Sequence, residues 1–80
     1  MEQRRFTDKQ GQYLAFIYAY TKVNRRPPAE ADIQGYFGVS PPTVHGMVLK
    51  LEALGLITRE PGQARSIKVS VPRAELPDLD

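Results

Sequence analysis

The stretch Phe37-Gly38-Val39-Ser40-Pro41 constrains this chain more than any other. Gly38 is placed to end a helix in the left-handed conformation, which costs glycine no steric penalty. Ser40 is a strong N-cap. Pro41 suits the first helical position, where a missing N–H leaves nothing unpaired. One helix therefore stops and another starts within a few residues, and the two must turn sharply against each other. Upstream, Ala29, Ile33 and Phe37 recur at i, i+4 and i+8, which predicts a short helix over 29–37. Gly35 inside it costs about 1 kcal/mol against alanine, so tertiary packing is expected to hold it. Downstream, Val44, Met47, Val48, Leu51 and Leu54 form an apolar stripe that predicts a helix from about 41 to 54, closed by Gly55.

The rest of the chain fits around this pair. Thr7-Asp8-Lys9-Gln10 reads as a capping box. Tyr13, Leu14, Phe16, Ile17, Tyr20 and Val23 then recur at helical spacing, predicting a first helix over about 8–23. Asn24-Arg25-Arg26-Pro27-Pro28 stops it. After Gly55 the period changes. Residues 56–59 and 66–71 are short and β-branched, and Ile67, Val69 and Val71 alternate with Lys68 and Ser70. Glu60-Pro61-Gly62-Gln63 supplies the turn between them. The predicted fold is mostly α with a small antiparallel hairpin. From Pro72 onward, proline, acids and isolated leucines predict a flexible acidic tail over 73–80 behind a folded domain over 1–72.

Charge sharpens the picture. From Gln3 to Arg73 the chain carries all 11 Lys and Arg against five acids, net +6, while Glu75, Asp78 and Asp80 give the tail −3. A basic body of this kind is the electrostatic footprint of a nucleic-acid binder. The order helix, helix, tight turn, helix, hairpin places it in the winged helix-turn-helix class, three helices plus a wing. Such a fold sends the amino-terminal part of its third helix into the major groove of double-stranded DNA. Ser40, Pro42, Thr43, His45 and Gly46 are the expected base-contacting residues. Arg25, Arg26, Lys50, Arg59, Gln63, Arg65 and Lys68 are expected on the backbone or in the wing, where Arg is favoured in the minor groove. The plainer readings are a solvated helix face and an ordinary basic turn. The rival function is a winged helix used for protein–protein contact, which Leu49, off the main stripe, would suit.

From Thr7 to Val69 the chain resembles the amino-terminal DNA-binding domain of the LexA repressor family. The resemblance is carried by the Thr7…Gln10 opening, Pro27-Pro28, Ala31-Asp32-Ile33, Gly38, Ser40-Pro41, Gly55-Leu56-Ile57, and Gly62 followed by Arg65, Ile67 and Lys68. It implies the fold and the docking mode. Independently of it, a domain this small is expected to repress by occlusion, and a homodimer on a palindromic site is the expected arrangement on DNA. Pro42, Thr43, His45 and Gly46 stand where that family is rich in Asn and Glu, which argues against the same operator. The family's peptidase half is expected to be absent, so self-cleavage is not carried over.

Other chemistries find little support. There is no cysteine, and His45 is the single histidine, so neither a disulfide nor a metal site is expected. No nucleophile paired with a base and no phosphate-binding glycine loop is visible, so no enzyme and no cofactor are expected. No apolar run approaches a membrane span, and the basic start Met1–Arg5 does not read as a signal peptide. A cytoplasmic, nucleoid-associated protein is the expected setting.

Overall fold

The computed structural model describes residues 5–80; the first four residues, which begin the expected 1–72 domain and the basic Met1–Arg5 stretch, lie outside the described residues. Helix α1 spans Asp8–Asn24. Its capping box forms as read: the Gln10 N–H donates to Thr7 Oγ1 at 3.1 Å, and the Thr7 N–H donates to Gln10 Oε1 at 2.9 Å. The helix outruns the core by a turn, which leaves Val23 exposed despite its place in the apolar period. It ends at Arg25 in the left-handed conformation, φ 61°.

Helix α2 spans Glu30–Phe37 and α3 spans Pro41–Ala53. Ala29 has no side-chain acceptor, so only the return half of a capping box caps α2: its N–H donates to Asp32 Oδ2 at 2.8 Å. Gly38 takes φ 66° and donates its N–H to Gln34 O at 2.8 Å. Ser40 Oγ then caps α3 by accepting from the Thr43 N–H. Leu54 proves to be the cap of α3 rather than the end of its buried stripe, and is exposed.

Gly55, at φ 75°, turns the chain into strand β1, Ile57–Thr58. It pairs antiparallel with β2, Lys68–Val69, with Ile57 opposite Val69 and Thr58 opposite Lys68. The paired strands are shorter than the β-branched runs predicted. The Ser66 hydroxyl takes over at the tip, accepting from the Glu60 N–H at 2.8 Å, within reach of the Glu60 and Gln63 carbonyls. A buried hydroxyl so placed satisfies backbone groups that a longer ladder would otherwise pair.

All three helices meet in one aliphatic layer. Leu14 and Ile17 of α1, Ile33 of α2, and Val44, Val48 and Leu51 of α3 have no exposed surface. Leu56 and Ile57 seal it from the hairpin side. An aromatic edge joins α1 to α2: Tyr13 stacks on Phe37 at 4.2 Å between ring centroids, and Phe16 lies against Tyr36 at 4.6 Å.

The tail departs from expectation. Residues 73–80 are not loose but lie along α1. A short 3-10 turn over Arg73–Glu75 leads to Leu76 and Leu79, both half-buried against the core. The Gln12 side chain donates to Asp78 O at 2.8 Å and accepts from the Asp80 N–H at 2.9 Å, and the Tyr36 hydroxyl donates to Asp80 O. Arg73 sits over the Tyr18 ring. At Gly11, a Cβ would lie 3.0 Å from both Phe6 Cε1 and Pro77 Cγ, so the bare backbone makes room for the tail. Two leucines separated by proline have no period to detect, because their partner face lies some sixty residues away.

Two stability predictions follow from this packing. Deleting Ala74–Asp80 uncovers the Leu76 and Leu79 contacts, a loss of about 1–3 kcal/mol, and should lower Tm by roughly 5–15 °C in a thermal melt. An unchanged Tm would mean that the tail contributes no packing. A Cβ at Gly35 would meet nothing within 4 Å. Gly35→Ala should therefore stabilise the protein by about 1 kcal/mol, read by urea denaturation, and a loss of stability would contradict the open surroundings.

Candidate nucleic-acid interface

Burial decides which side of α3 faces outward. With Val44, Val48 and Leu51 turned in, helical geometry turns Pro42, Thr43, His45, Gly46, Leu49, Lys50 and Ala53 out, and all seven are exposed. The first turn of this helix is short of free backbone donors. Pro41 and Pro42 have no N–H, and that of Thr43 is given to Ser40 Oγ. Any ligand on this face must therefore be met by side chains.

Ser40, expected at base edges, serves first as the cap. Its hydroxyl lies 2.8 Å from Thr43 Oγ1, so the two share one internal hydrogen bond. His45 is exposed, but its Nδ1 lies 3.1 Å from Glu30 Oε2 and 3.2 Å from Glu30 Oε1. A carboxylate can only accept, so Nδ1 carries the hydrogen and Nε2 is left for solvent or a ligand. Glu30 thereby orients the ring across the α2–α3 turn. Sequence spacing did not single out Glu30, because the two residues are 15 apart and meet only through the turn.

The cations divide into two groups. Arg65, expected on the wing, is committed inside the molecule. Its Nη1 donates to Asp32 Oδ2 at 2.9 Å, to the Pro27 carbonyl at 3.2 Å and to the Tyr20 hydroxyl at 3.2 Å. The guanidinium thus ties the hairpin to α1, to the Pro27-Pro28 connection and to the start of α2, so its Nη1 is spent on the fold. Arg59 is partly tied as well, its Nε donating to Glu52 Oε1 at 3.0 Å on the last turn of α3. Gln63 holds the hairpin turn by donating its N–H to Glu60 O; beside it, Arg59, Ala64 and Ile67 line a shallow cavity against Ala29 and Glu30. Arg25, Arg26, Lys50 and Lys68 are exposed and form no ion pair with any described acid.

Asp32 is the hub of the tied group. The Ala29 N–H, ahead of the nearby Arg65 charge, holds its carboxyl below the usual aspartate range, against an opposing contribution from partial burial. An acid at the third position of α2 was a legible capping signal, but the arginine 33 residues further on was not.

Residues 5–64 match the family described as "Iron dependent repressor, N-terminal DNA binding domain". Among curated proteins the chain is 38% identical over 66 residues to the LexA repressor of Thermosipho melanesiensis, covering 82% of this chain and 33% of that protein. It is 34% identical over 73 residues to the LexA repressor of Exiguobacterium sibiricum, covering 90% and 36%. For the LexA repressor of Caldicellulosiruptor saccharolyticus the figures are 37% over 68 residues, 84% and 34%. The chain spans about a third of the length of the curated relatives it matches.

Iron dependence belongs to the family description, and the donor set present does not fit a metal centre. Among the described residues no group of three or more His, Cys, Asp or Glu side chains converges, and the Glu30–His45 pair has no third ligand. Among the same residues no helix is long and apolar enough to cross a membrane.

The Asp32–Arg65 junction has an acid signature. A carboxyl whose folded pKa is lowered contributes stability that is complete above the ordinary aspartate range, roughly pH 5 and higher, and is withdrawn as pH falls through the folded value. Arg65→Ala should lower Tm at pH 7 more than Lys68→Ala does. Asp32→Asn should lower Tm at pH 7 and flatten the fall in Tm below about pH 4. Thermal melts from pH 3 to 7 read both, and equal Tm values for the Arg65 and Lys68 variants would remove the junction from the account.

Proposed function

Because this chain belongs to the iron dependent repressor N-terminal DNA-binding domain family, we propose that it is the DNA-reading part of a LexA-like transcriptional repressor. Helix α3 enters the major groove, and the hairpin wing rests on the adjacent backbone or minor groove. The observation that carries this reading is the outward face of α3: exposed, short of backbone donors, free of carboxylates from Pro41 to Lys50, and accompanied by exposed cations that pair with no acid among the described residues. Thr43 and His45 are the polar side chains for base edges, with Pro42 and Gly46 between them. Arg25, Arg26, Lys50 and Lys68 are the phosphate contacts, which fix position without reading sequence. Repression would follow from occlusion of the promoter in the cytoplasmic nucleoid.

One helix per chain reads a short half-site. Two copies on half-sites about one helical turn apart would extend it, with the pairing completed on the DNA. The exposed Leu49 and Tyr36 favour a second reading, a winged helix that docks on protein.

Fluorescence anisotropy against a selected and a scrambled duplex, at two salt concentrations, separates these readings. Lys68→Ala should weaken binding to both duplexes alike and flatten the salt dependence by about one charge. Thr43→Ala or His45→Ala should cost about 1–3 kcal/mol on the selected duplex and much less on the scrambled one. Equal losses on both duplexes for Thr43 and His45 would remove sequence reading from this face.

A further inference from the structure

Pro42, Gly46, Leu49 and Ala53 stand at i, i+4, i+7 and i+11, a single line down the outward side of α3, opposite Val44, Val48 and Leu51. All four are exposed, Leu49 at 42%. The line offers no polar side-chain atom. Thr43 and Lys50 flank it on one side and His45 on the other.

This composition limits what the face can read. Bidentate recognition of guanine needs Arg or Lys, and bidentate recognition of adenine needs Asn or Gln. None of these occurs from Pro41 to Leu49, and the first backbone amides of the helix are missing or committed. The one apolar group that base pairs display in the major groove is the C5 methyl of thymine. A leucine and a proline pressed onto cytosine amino or guanine carbonyl groups would strip water from them and return no hydrogen bond.

Gly46 fits the same account. A Cβ there would meet nothing within 4 Å, so packing does not require glycine, although it costs the helix about 1 kcal/mol against alanine. Gly35 of α2 is equally unconfined, so an open glycine alone points to no ligand. What distinguishes Gly46 is its place between Pro42 and Leu49, where a bare Cα lets the helix backbone come closer to whatever covers the line.

We infer that the midline of α3 reads thymine methyl groups, with Leu49 the side chain that discriminates them and Gly46 setting the close approach. The inference rests on the DNA-binding reading above and specifies its ligand: an A·T-rich half-site in which thymines face Pro42 and Leu49, with polar contacts confined to the flanks.

Deoxyuridine differs from thymidine only by this methyl, which makes the test direct. The full chain is used to select a preferred duplex from a randomised pool. Each thymine of that duplex is then replaced in turn by deoxyuridine, and affinity is read by anisotropy. One or two positions per half-site should each lose about fourfold, the worth of one buried methyl. Leu49→Ala should keep its Tm and lose the thymine–uracil difference at those positions. A selected duplex bound equally well with uracil at every position would overturn the inference and leave DNA binding standing, as would a Leu49→Ala variant that still discriminates. Failure to bind any duplex at low salt would instead overturn the DNA-binding reading itself. A tight dimer in sedimentation that Leu49→Ala dissolves would assign the line to a second copy of the chain and overturn the inference.

Discussion

The complete burial of one side of α3 is the constraint on which the rest of this molecule depends. Val44, Val48 and Leu51 have no exposed surface, and each touches a layer shared with α1, α2 and the hairpin. The buried residues of this domain belong to one hydrophobic cluster, so a loss there is not offset elsewhere in it. Once these three side chains turn inward, the rotation of the helix about its axis is settled, and so is the set of residues it presents to the outside. The candidate interface is the geometric complement of the core.

Around that layer, polar side chains join elements that the aliphatic contacts alone would leave hinged. Asp32 accepts from the backbone where α2 begins and from Arg65 on the hairpin, and Arg65 reaches on to Tyr20 and to the Pro27 carbonyl. An exposed ion pair is worth little. This one is half-buried and shares its atoms with the Ala29 N–H and the Pro27 carbonyl. The wing is held to the helices by one of the cations that a charge count would assign to a ligand. The acidic tail is a second strap, docked on α1 through Leu76, Leu79 and Gln12 on the side of the aromatic edge.

The consequence for recognition is a division of labour that charge alone does not show. Arg59 and Arg65 serve the fold, while Arg25, Arg26, Lys50 and Lys68 pair with no acid among the described residues. The α3 surface between the cations is apolar along its midline and polar at its flanks. Relatives described as LexA repressors share the domain over about a third of their length. The side chains on this face are where the present chain differs from the Asn- and Glu-rich pattern that the resemblance implies.

The sequence by itself determined the helices, their caps and the turn between α2 and α3, because these depend on residues within four positions of one another. Thr7, Gln10, Gly38 and Ser40 each act on backbone groups in their own turn. It determined the buried stripe of α3 for the same reason, since a helical period is local. It also showed the hairpin and its tip, though not how few residues would pair. Only the tertiary structure decided which polar groups are spent internally. Arg65 meets Asp32 across 33 residues, His45 meets Glu30 across 15, and Asp80 meets Gln12 across 68. No period or propensity links such pairs. Long charged side chains take whatever partner the packed helices bring within reach, and the packing that brings them together is set by aliphatic residues that carry no charge.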